Sequence, residues 1–94
     1  MRVRVLYYAV AREAAGKRSE AITLNEGAAM LDLINVLVGR YGPAFRSIVY
    51  DDGGRLLDYL MFSVNDVDIL GLDGFDTTLR DGDTVRVMLP IGGG

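Results

Sequence analysis

Only one stretch of the chain, residues 29–41, has the apolar periodicity of a long helix, and this limits the possible folds most strongly. Its apolar line is formed by Met30, Ile34, Leu37 and Tyr41, with Leu31, Leu33 and Val38 beside it. The opposite side carries Asp32, Asn35 and Gly39, so one side suits a core and the other suits water. Gly42-Pro43 ends the helix, because proline has no amide hydrogen and restricts the residue before it.

Alternation of the kind found in β-strands flanks this helix on both sides. Two strand segments precede the helix and three follow it, at Arg2–Val10, Glu20–Leu24, Tyr59–Val64, Val67–Leu70 and Thr84–Leu89. Ala11–Ala15 favours a short helical turn that ends at Gly16, so the first two strands are expected to form a hairpin. Further turns are expected at residues 51–54, at Asn65-Asp66 and at Asp81-Gly82. Pro43–Tyr50 fits either a helical turn or an extended segment.

This order of elements predicts one α+β domain over residues 1–89, with a mixed four- to five-stranded sheet packed on one main helix. One main helix cannot cover both faces of such a sheet, so one face is expected to be partly open. Leu6, Tyr8 and Met88 are candidates for that face. An open apolar face can mark a binding site, but the loop around residues 43–58 could equally cover it.

The composition narrows the chemistry that this chain can perform. It contains no cysteine and no histidine, which excludes disulfides, Ser-His-Asp and Cys-His catalysis, and most zinc or copper sites. The net charge of −3 argues against direct nucleic-acid binding. The acidic residues are concentrated in the second half, which can orient a basic partner but more commonly is a solvated surface. No apolar run is long enough to span a membrane, and we expect a cytoplasmic protein.

Two groups of acidic residues are candidate sites. The spacing of Asp66, Asp68 and Gly71 partly fits a calcium loop, but Leu70 and Thr77 stand where oxygen ligands are required, so solvated turn aspartates are the better interpretation. Carboxylates that could pair for acid–base chemistry are Asp51, Asp52, Asp81 and Asp83. A domain of this size with one helix offers little concavity for such a pair, which makes this hypothesis weak.

The C-terminal tail, residues 90–94, is the strongest functional signal. Three consecutive glycines have no structural purpose at a free end, because nothing follows them that must be positioned. Beyond Leu89 the tail can extend roughly 16–18 Å, at about 3.3–3.6 Å per residue. Such a tail can enter a narrow tunnel and present its terminal carboxylate to the active site of another protein. The alternative is a frayed end, although Pro90 stiffens the start of the tail and Ile91 offers an apolar anchor.

Together with the order of elements, this tail resembles that of the ubiquitin-like sulfur carriers. More closely, the chain is similar to the MoaD family, the small subunits of molybdopterin synthase, and to the small archaeal modifiers. The resemblance spans the whole chain and is carried by Val3–Ala9, Arg12-Glu13, Gly16, Val64-Asn65, Leu72–Gly74, Thr78–Asp83 and Pro90–Gly94. The chain departs from the MoaD pattern at Met88-Leu89-Pro90, where the family often has phenylalanine and two prolines, and in extra length at residues 43–58.

The resemblance implies a β-grasp fold and a carrier without catalytic residues, bound cofactor or metal of its own. A ubiquitin-activating-like adenylyltransferase would use ATP to adenylate Gly94, and sulfur would then convert it to a thiocarboxylate. The tail residues Pro90, Ile91, Gly92 and Gly93 would enter the large subunit of molybdopterin synthase, while Tyr8 and Met88 would contact the partner. The alternatives are a modifier joined through Gly94 to lysines of target proteins, a sulfur carrier for tRNA thiolation, or an interaction domain with an inert tail.

Overall fold

The computed structural model describes residues 1–57 and 61–88, which form one mixed sheet with helices on one side. The strands are β1 (Arg2–Tyr7), β2 (Ser19–Thr23), β3 (Met61–Val64), β4 (Val67–Asp68) and β5 (Thr84–Met88). Their order across the sheet is β2-β1-β5-β3-β4, in which β1 and β5 run parallel and the other neighbours are antiparallel. The predicted α+β architecture, the order of its elements and the hairpin formed by the first two strands are confirmed.

The described strands keep the alternation that predicted them. Their core-facing residues are Val3, Val5 and Tyr7 of β1, Ile22 of β2, Phe62 and Val64 of β3, and Val85 and Val87 of β5, all less than a tenth exposed. β4 is shorter than predicted, because the chain turns into a 3₁₀ helix at Ile69–Gly71. Two predicted strands extend into residues outside the described ones, at 59–60 and at 89.

The main helix, α2, covers Met30–Tyr41 and buries Met30, Leu33, Ile34 and Leu37 against the sheet. At its start, the carboxylate of Asp32 accepts a hydrogen bond of 2.8 Å from the backbone N–H of Ala29. It ends at Gly42, whose φ of 68° is easy for glycine and leads the chain away from the helix. The predicted end at Gly42-Pro43 is therefore confirmed.

Two shorter helices lie on the same side of the sheet as α2. They are α1 (Val10–Ala15), which follows β1, and α3 (Pro43–Val49), which begins with the proline that ends α2. Phe45 of α3 is fully buried, and its ring centroid lies 6.3 Å from that of Tyr7 and 6.1 Å from that of Tyr41. The ambiguous segment is thus helical. Its described part, residues 43–57, packs on the helical side, so the interpretation that this loop covers the opposite face is wrong.

The polar connection after β4 contributes to the core, which its composition did not predict. Thr77 and Leu79 are buried, and the Leu79 N–H donates a hydrogen bond of 2.8 Å to the carbonyl of Ala28 just before α2. A neighbouring bridge pairs Ala29 with Thr78. The segment therefore fixes the start of α2 to the chain that leads into β5.

A polar cluster around Glu20 joins the sheet to the helices. The hydroxyls of Tyr7 and Tyr41 both donate to one carboxylate oxygen of Glu20, that of Tyr7 at 2.6 Å. The other oxygen accepts from the guanidinium of Arg40 at 2.8 Å, and the ammonium of Lys17 lies 3.7 Å from it. The side chain of Glu20 is only 9% exposed, so this carboxylate relies on these partners rather than on water.

The environment lowers the pKa of Glu20 and raises that of Tyr7. Desolvation alone would raise the pKa of Glu20, but the hydrogen bonds from Tyr41 and Tyr7 and the charges of Lys17 and Arg40 outweigh it, so the pKa is lowered below 4.5. The pKa of Tyr7 is raised well above its ordinary value, first by burial and then by its bond to Glu20. Glu20 is therefore ionised and Tyr7 is neutral at physiological pH.

We expect Glu20→Gln to lower the free energy of unfolding at neutral pH by about 1–3 kcal/mol, because the partly buried hydroxyls of Tyr7 and Tyr41 lose a charged acceptor. A lowered folded-state pKa stabilises the fold above the unfolded pKa, and this stabilisation is lost as the pH falls through the folded pKa. The variant should therefore also lose less stability than the parent below about pH 4.5. Urea unfolding from neutral to acidic pH measures both effects.

The matched control for this experiment is Glu13→Gln, which neutralises an exposed carboxylate on α1. It should leave the free energy of unfolding within about 0.5 kcal/mol of the parent. Equal unfolding curves for the two variants would show that the Glu20 cluster does not stabilise the fold.

Candidate functional site

The pairing of the first and last strands brings the predicted partner-binding residues together. Val5 lies opposite Val85, and Tyr7 lies opposite Val87, in the parallel ladder between β1 and β5. The next backbone N–H, that of Tyr8, donates a hydrogen bond of 3.2 Å to the carbonyl of Val87. Tyr8 is therefore beside Met88, the last described residue before the tail. The predicted tail residues Pro90, Ile91, Gly92, Gly93 and Gly94 lie outside the described residues.

An apolar patch surrounds this point on the sheet face opposite the helices, which we call the tail-side patch. It consists of Leu6, Tyr8, Met61 and Met88. Met61 lies opposite Met88 in the ladder between β3 and β5 and is 44% exposed. Three of these four residues were predicted on an open face from strand alternation. Met61 was missed, because its place beside Met88 depends on a strand register that the sequence does not reveal.

Arg86 lies next to the tail-side patch and contacts both Tyr8 and Asp66. Its Nε donates to the hydroxyl of Tyr8 at 3.3 Å, and its Nη1 forms an ion pair with the carboxylate of Asp66 in the turn after β3. The bond to Tyr8 and the charge of Asp66 raise the pKa of Arg86 above its ordinary value, despite some desolvation. This side chain is therefore a fixed positive charge beside the apolar patch.

Arg12 approaches Tyr8 from the other direction. Its guanidinium carbon lies 5.8 Å from the centre of the Tyr8 ring, within reach of a cation–π contact. Its Nε also donates to the backbone carbonyl of Tyr7 at 3.2 Å. Arg12 thus holds the end of β1 and the ring of Tyr8 in place, which gives a physical reason for an arginine at this point of the motif.

Immediately after Tyr8, the backbone of Ala9 adopts a conformation that residues other than glycine rarely take, with φ 51° and ψ −125°. Its carbonyl accepts hydrogen bonds from the N–H groups of Arg12 and Glu13 at 3.0 and 3.2 Å. The carbonyl of Tyr8 accepts from the N–H of Ala11 at 3.1 Å. The strained turn therefore directs the chain into α1, and the Tyr8 carbonyl accepts a hydrogen bond from the first turn of that helix.

We expect Ala9→Gly to raise the free energy of unfolding by about 1 kcal/mol. A residue with a side chain at such an angle costs about 1–3 kcal/mol, while glycine loses about 0.5–1 kcal/mol more through its flexibility in the unfolded chain. The comparison is Ala44→Gly in α3, where the backbone is helical and the same change should destabilise by up to about 1 kcal/mol. Thermal unfolding of both variants measures the difference. A loss of stability at both positions would contradict strain at Ala9.

The acidic candidates cap turns instead of forming a shared site. Asp51 accepts bonds from the N–H groups of Gly53 and Arg55, and Asp81 accepts one from Arg2. Asp83 accepts from the N–H of Arg80 and the side-chain amide of Asn65, and Asp68 accepts from the N–H of Leu70. No three acidic side chains within residues 1–57 and 61–88 lie close enough together to hold a metal ion. In the same part of the chain, no helix has the length and apolarity needed to cross a bilayer.

The molybdopterin synthase sulfur carrier subunit of Chlamydomonas reinhardtii is 30% identical to this chain, and small archaeal modifier protein 3 of Haloferax volcanii is 28% identical. Both alignments cover the full length of both proteins. The crystal structure of the small archaeal modifier SAMP1 from Haloferax volcanii superimposes with a TM-score of 0.86 at 26% identity, again over the full length of both chains. The sheet and helices described above are therefore the β-grasp fold that the sequence resemblance implied.

The family comparison extends to the last residue of the tail. The ThiS family profile matches residues 5–94, which includes the strand pairing that places Tyr8 beside Met88 as well as the terminal glycines. By this match over nearly its whole length, the chain belongs to the ThiS family of ubiquitin-like sulfur carriers.

Proposed function

We propose that this protein is the small, sulfur-carrying subunit of a molybdopterin synthase. The observation that carries the proposal is a family match that runs through the sheet face and ends at Gly94. A full-length relative named as a molybdopterin synthase sulfur carrier subunit supports this pathway. In this role the chain supplies a reactive C-terminus and a docking surface, while the partner proteins supply the catalytic groups.

The proposed chemistry begins at the carboxylate of Gly94, which is ionised at neutral pH and a poor electrophile. A ubiquitin-activating-like adenylyltransferase joins it to the α-phosphate of ATP, so pyrophosphate leaves and an acyl adenylate forms. A sulfide-equivalent nucleophile then attacks the acyl carbon and AMP leaves with one carboxylate oxygen. The product is a thiocarboxylate at Gly94, whose sulfur the large synthase subunit transfers to a pterin precursor.

The arrangement of the described residues suits a carrier that is passed between partners. The tail-side patch lies where β5 ends, so a protein that contacts Tyr8 and Met88 holds the domain directly beside the start of the tail. The three terminal glycines have no side chains, so a partner can accept them in a channel that is only wide enough for the backbone. We propose a cytoplasmic location, which supplies the ATP that activation requires.

A protein modifier is the second candidate, because a full-length relative and a solved structure are both named as small archaeal modifiers. In this alternative Gly94 forms an amide with lysines on target proteins after the same adenylation step. Transfer of the sulfur to tRNA is a further outcome of the thiocarboxylate. All three share the first step, so experiments must separate the step at Gly94 from the fate of its product.

Deletion of Gly93 and Gly94 is expected to abolish activation without affecting folding. The purified full chain, incubated with its adenylyltransferase, ATP and a sulfur donor, should gain one sulfur in place of one oxygen by intact-protein mass spectrometry. The shortened chain should show no change in mass but an unchanged unfolding midpoint. A shortened chain that still supports the cellular pathway would refute the carrier and modifier functions together.

Protein recovered from its native host without reducing agent is expected to contain a thiocarboxylate at Gly94 and to co-purify with a large synthase subunit. Mass spectrometry of the intact protein and of its partners measures both. Gly-Gly remnants on lysines of other proteins would favour the modifier. An unmodified Gly94 in cells that contain the activating enzyme would leave only an interaction domain.

A further inference from the structure

In the described part of the chain, the sheet has two edge strands, of which only β2 is long enough to pair with a further strand. β4 has two residues before the chain turns into a 3₁₀ helix, whereas β2 has five. The carbonyl of Arg18, just before β2, accepts a hydrogen bond from the Tyr7 N–H of β1. Because hydrogen-bonding direction alternates along a strand, every second residue from Arg18 also faces β1. The backbone groups of Ser19, Ala21 and Thr23 therefore point away from the sheet.

The outer edge of β2 lacks the features that normally keep such an edge from pairing. Exposed edges are usually protected by charged side chains, proline or bulges. Ser19, Ala21 and Thr23 are instead small and uncharged, and the register with β1 is continuous. Within residues 1–57 and 61–88, the backbone N–H and C=O groups of these three residues form no hydrogen bond. They are available to a second extended strand.

We propose that β2 pairs antiparallel with β2 of a second copy of this chain, around a two-fold axis at Ala21. In this register Ala21 lies opposite Ala21 of the second copy, and Ser19 lies opposite Thr23 of the second copy. Each of these pairs exchanges two hydrogen bonds, so the outward groups of all three residues are satisfied. The inference goes beyond the proposed function and does not depend on it, because it uses only the edge of the sheet.

The charges at the two ends of β2 favour this antiparallel arrangement. Arg18 is exposed and forms no ion pair in the described part of the chain. Leu24, Glu26 and Asp32 line an open groove between the end of β2 and α2. In the proposed register Arg18 lies opposite Leu24 of the second copy, so its guanidinium reaches the acidic groove. By symmetry this contact forms twice. A parallel pair would instead place Arg18 against Arg18.

The acidic groove has room for a second cation. The carboxylate of Glu26 lies 3.7 Å from the amino group of Met1, yet its side chain is 85% exposed. One oxygen of Asp32 accepts from the N–H of Ala29, and a carboxylate has further acceptor sites. Both groups therefore keep acceptor capacity for an arginine from the second copy.

Like charges near the axis are either neutralised or far apart. The two Glu20 side chains would be diagonal neighbours at about 7–8 Å, but Arg40 and Lys17 already hold each carboxylate. On the other face, Arg4 lies one strand in from the edge, in a depression that also contains Asp81. The two Arg4 residues would be three strand spacings apart, about 14 Å. This exceeds the Debye length of about 8 Å at physiological salt.

Such a dimer keeps the two tails apart. Because β1 is antiparallel to β2 and parallel to β5, β5 runs opposite to β2. The two β5 strands therefore run in opposite directions in the joined sheet, and the two Met88 residues lie at its opposite ends. The axis is perpendicular to the sheet, so both tail-side patches stay on the face opposite the helices. One dimer can thus present two tails to two partner proteins. The interface is small, and we expect a weak dimer.

Sedimentation equilibrium of the full chain, from micromolar to millimolar concentration, tests the pairing. The molar mass of the parent is expected to rise with concentration from that of a monomer towards that of a dimer. Ala21→Pro removes an N–H that points away from β1, so it keeps the β1–β2 ladder but should lower the association constant about tenfold. Ala21→Ser keeps the N–H and should dimerise like the parent. Thermal unfolding of dilute samples checks that each variant is folded.

Charge variants test the register independently of the backbone. Arg18→Glu should lower the association constant about tenfold at low salt, with a smaller effect at high salt. Adding Glu26→Arg to this variant should restore dimerisation, because the ion pair re-forms with reversed charges. The control is Arg55→Glu, which makes the same change of charge in the exposed turn after α3 and should leave association unchanged.

A parent that stays monomeric at millimolar concentration would overturn the inference. A dimer that neither Ala21→Pro nor Arg18→Glu weakens would also overturn it and would assign association to another surface, such as that of exposed Leu70. A monomeric parent whose Ser19, Ala21 and Thr23 amide NMR signals shift only when another protein is added would assign the edge to a foreign strand. In each case, adenylation of Gly94 measured separately would leave the proposed function intact.

Discussion

The parallel pairing of β1 with β5 is the interaction on which the rest of the structure depends. It joins the first strand of the chain to the last, buries Val5 and Tyr7 beside Val85 and Val87, and forms the centre of the sheet. Parallel neighbours need a long connection, and here that connection includes β2, α1, α2, α3, β3 and β4. The same pairing fixes the start of the tail beside Tyr8, so the geometry of the functional end follows from the core.

The two faces of the sheet differ in what covers them. Helices α1, α2 and α3 pack on the face of Tyr7, where Phe45 of α3 packs against the Tyr7 ring and the carboxylate of Glu20 joins the sheet to α2. The Glu20 cluster uses groups from β1, β2 and α2, with Lys17 beside them. It therefore forms only when these elements have reached their final arrangement. The opposite face is left with arginines and methionines, which suit a surface that alternates between water and a partner.

Local patterns in the sequence determine most of this fold. The helix over residues 30–41, the alternation in the strands and the turn at Asn65-Asp66 follow from period and turn chemistry, and the terminal glycines with the family motifs identified the tail. Residues 43–49 remained ambiguous because seven residues show too little periodicity to separate a helix from a strand. Long-range partners were not predictable from the sequence. Leu79 is buried although it belongs to a polar segment, and Glu20 has the pattern of an ordinary strand residue although Tyr41 and Arg40 bind its carboxylate.

Ala9 adopts a backbone conformation that alanine disfavours, and its place directly after Tyr8 at the end of β1 gives a reason. A strand that continued in register beyond Tyr8 would offer its carbonyl to β5 and extend the ladder towards the tail. The turn at Ala9 instead gives that carbonyl to Ala11 at the start of α1, and within the described residues the last ladder bond is the one from Tyr8 to Val87. Strain held at a functional site is maintained by the surrounding structure. Here Arg12, which binds the Tyr7 carbonyl and lies on the ring of Tyr8, holds the turn that follows the last described residues of β1.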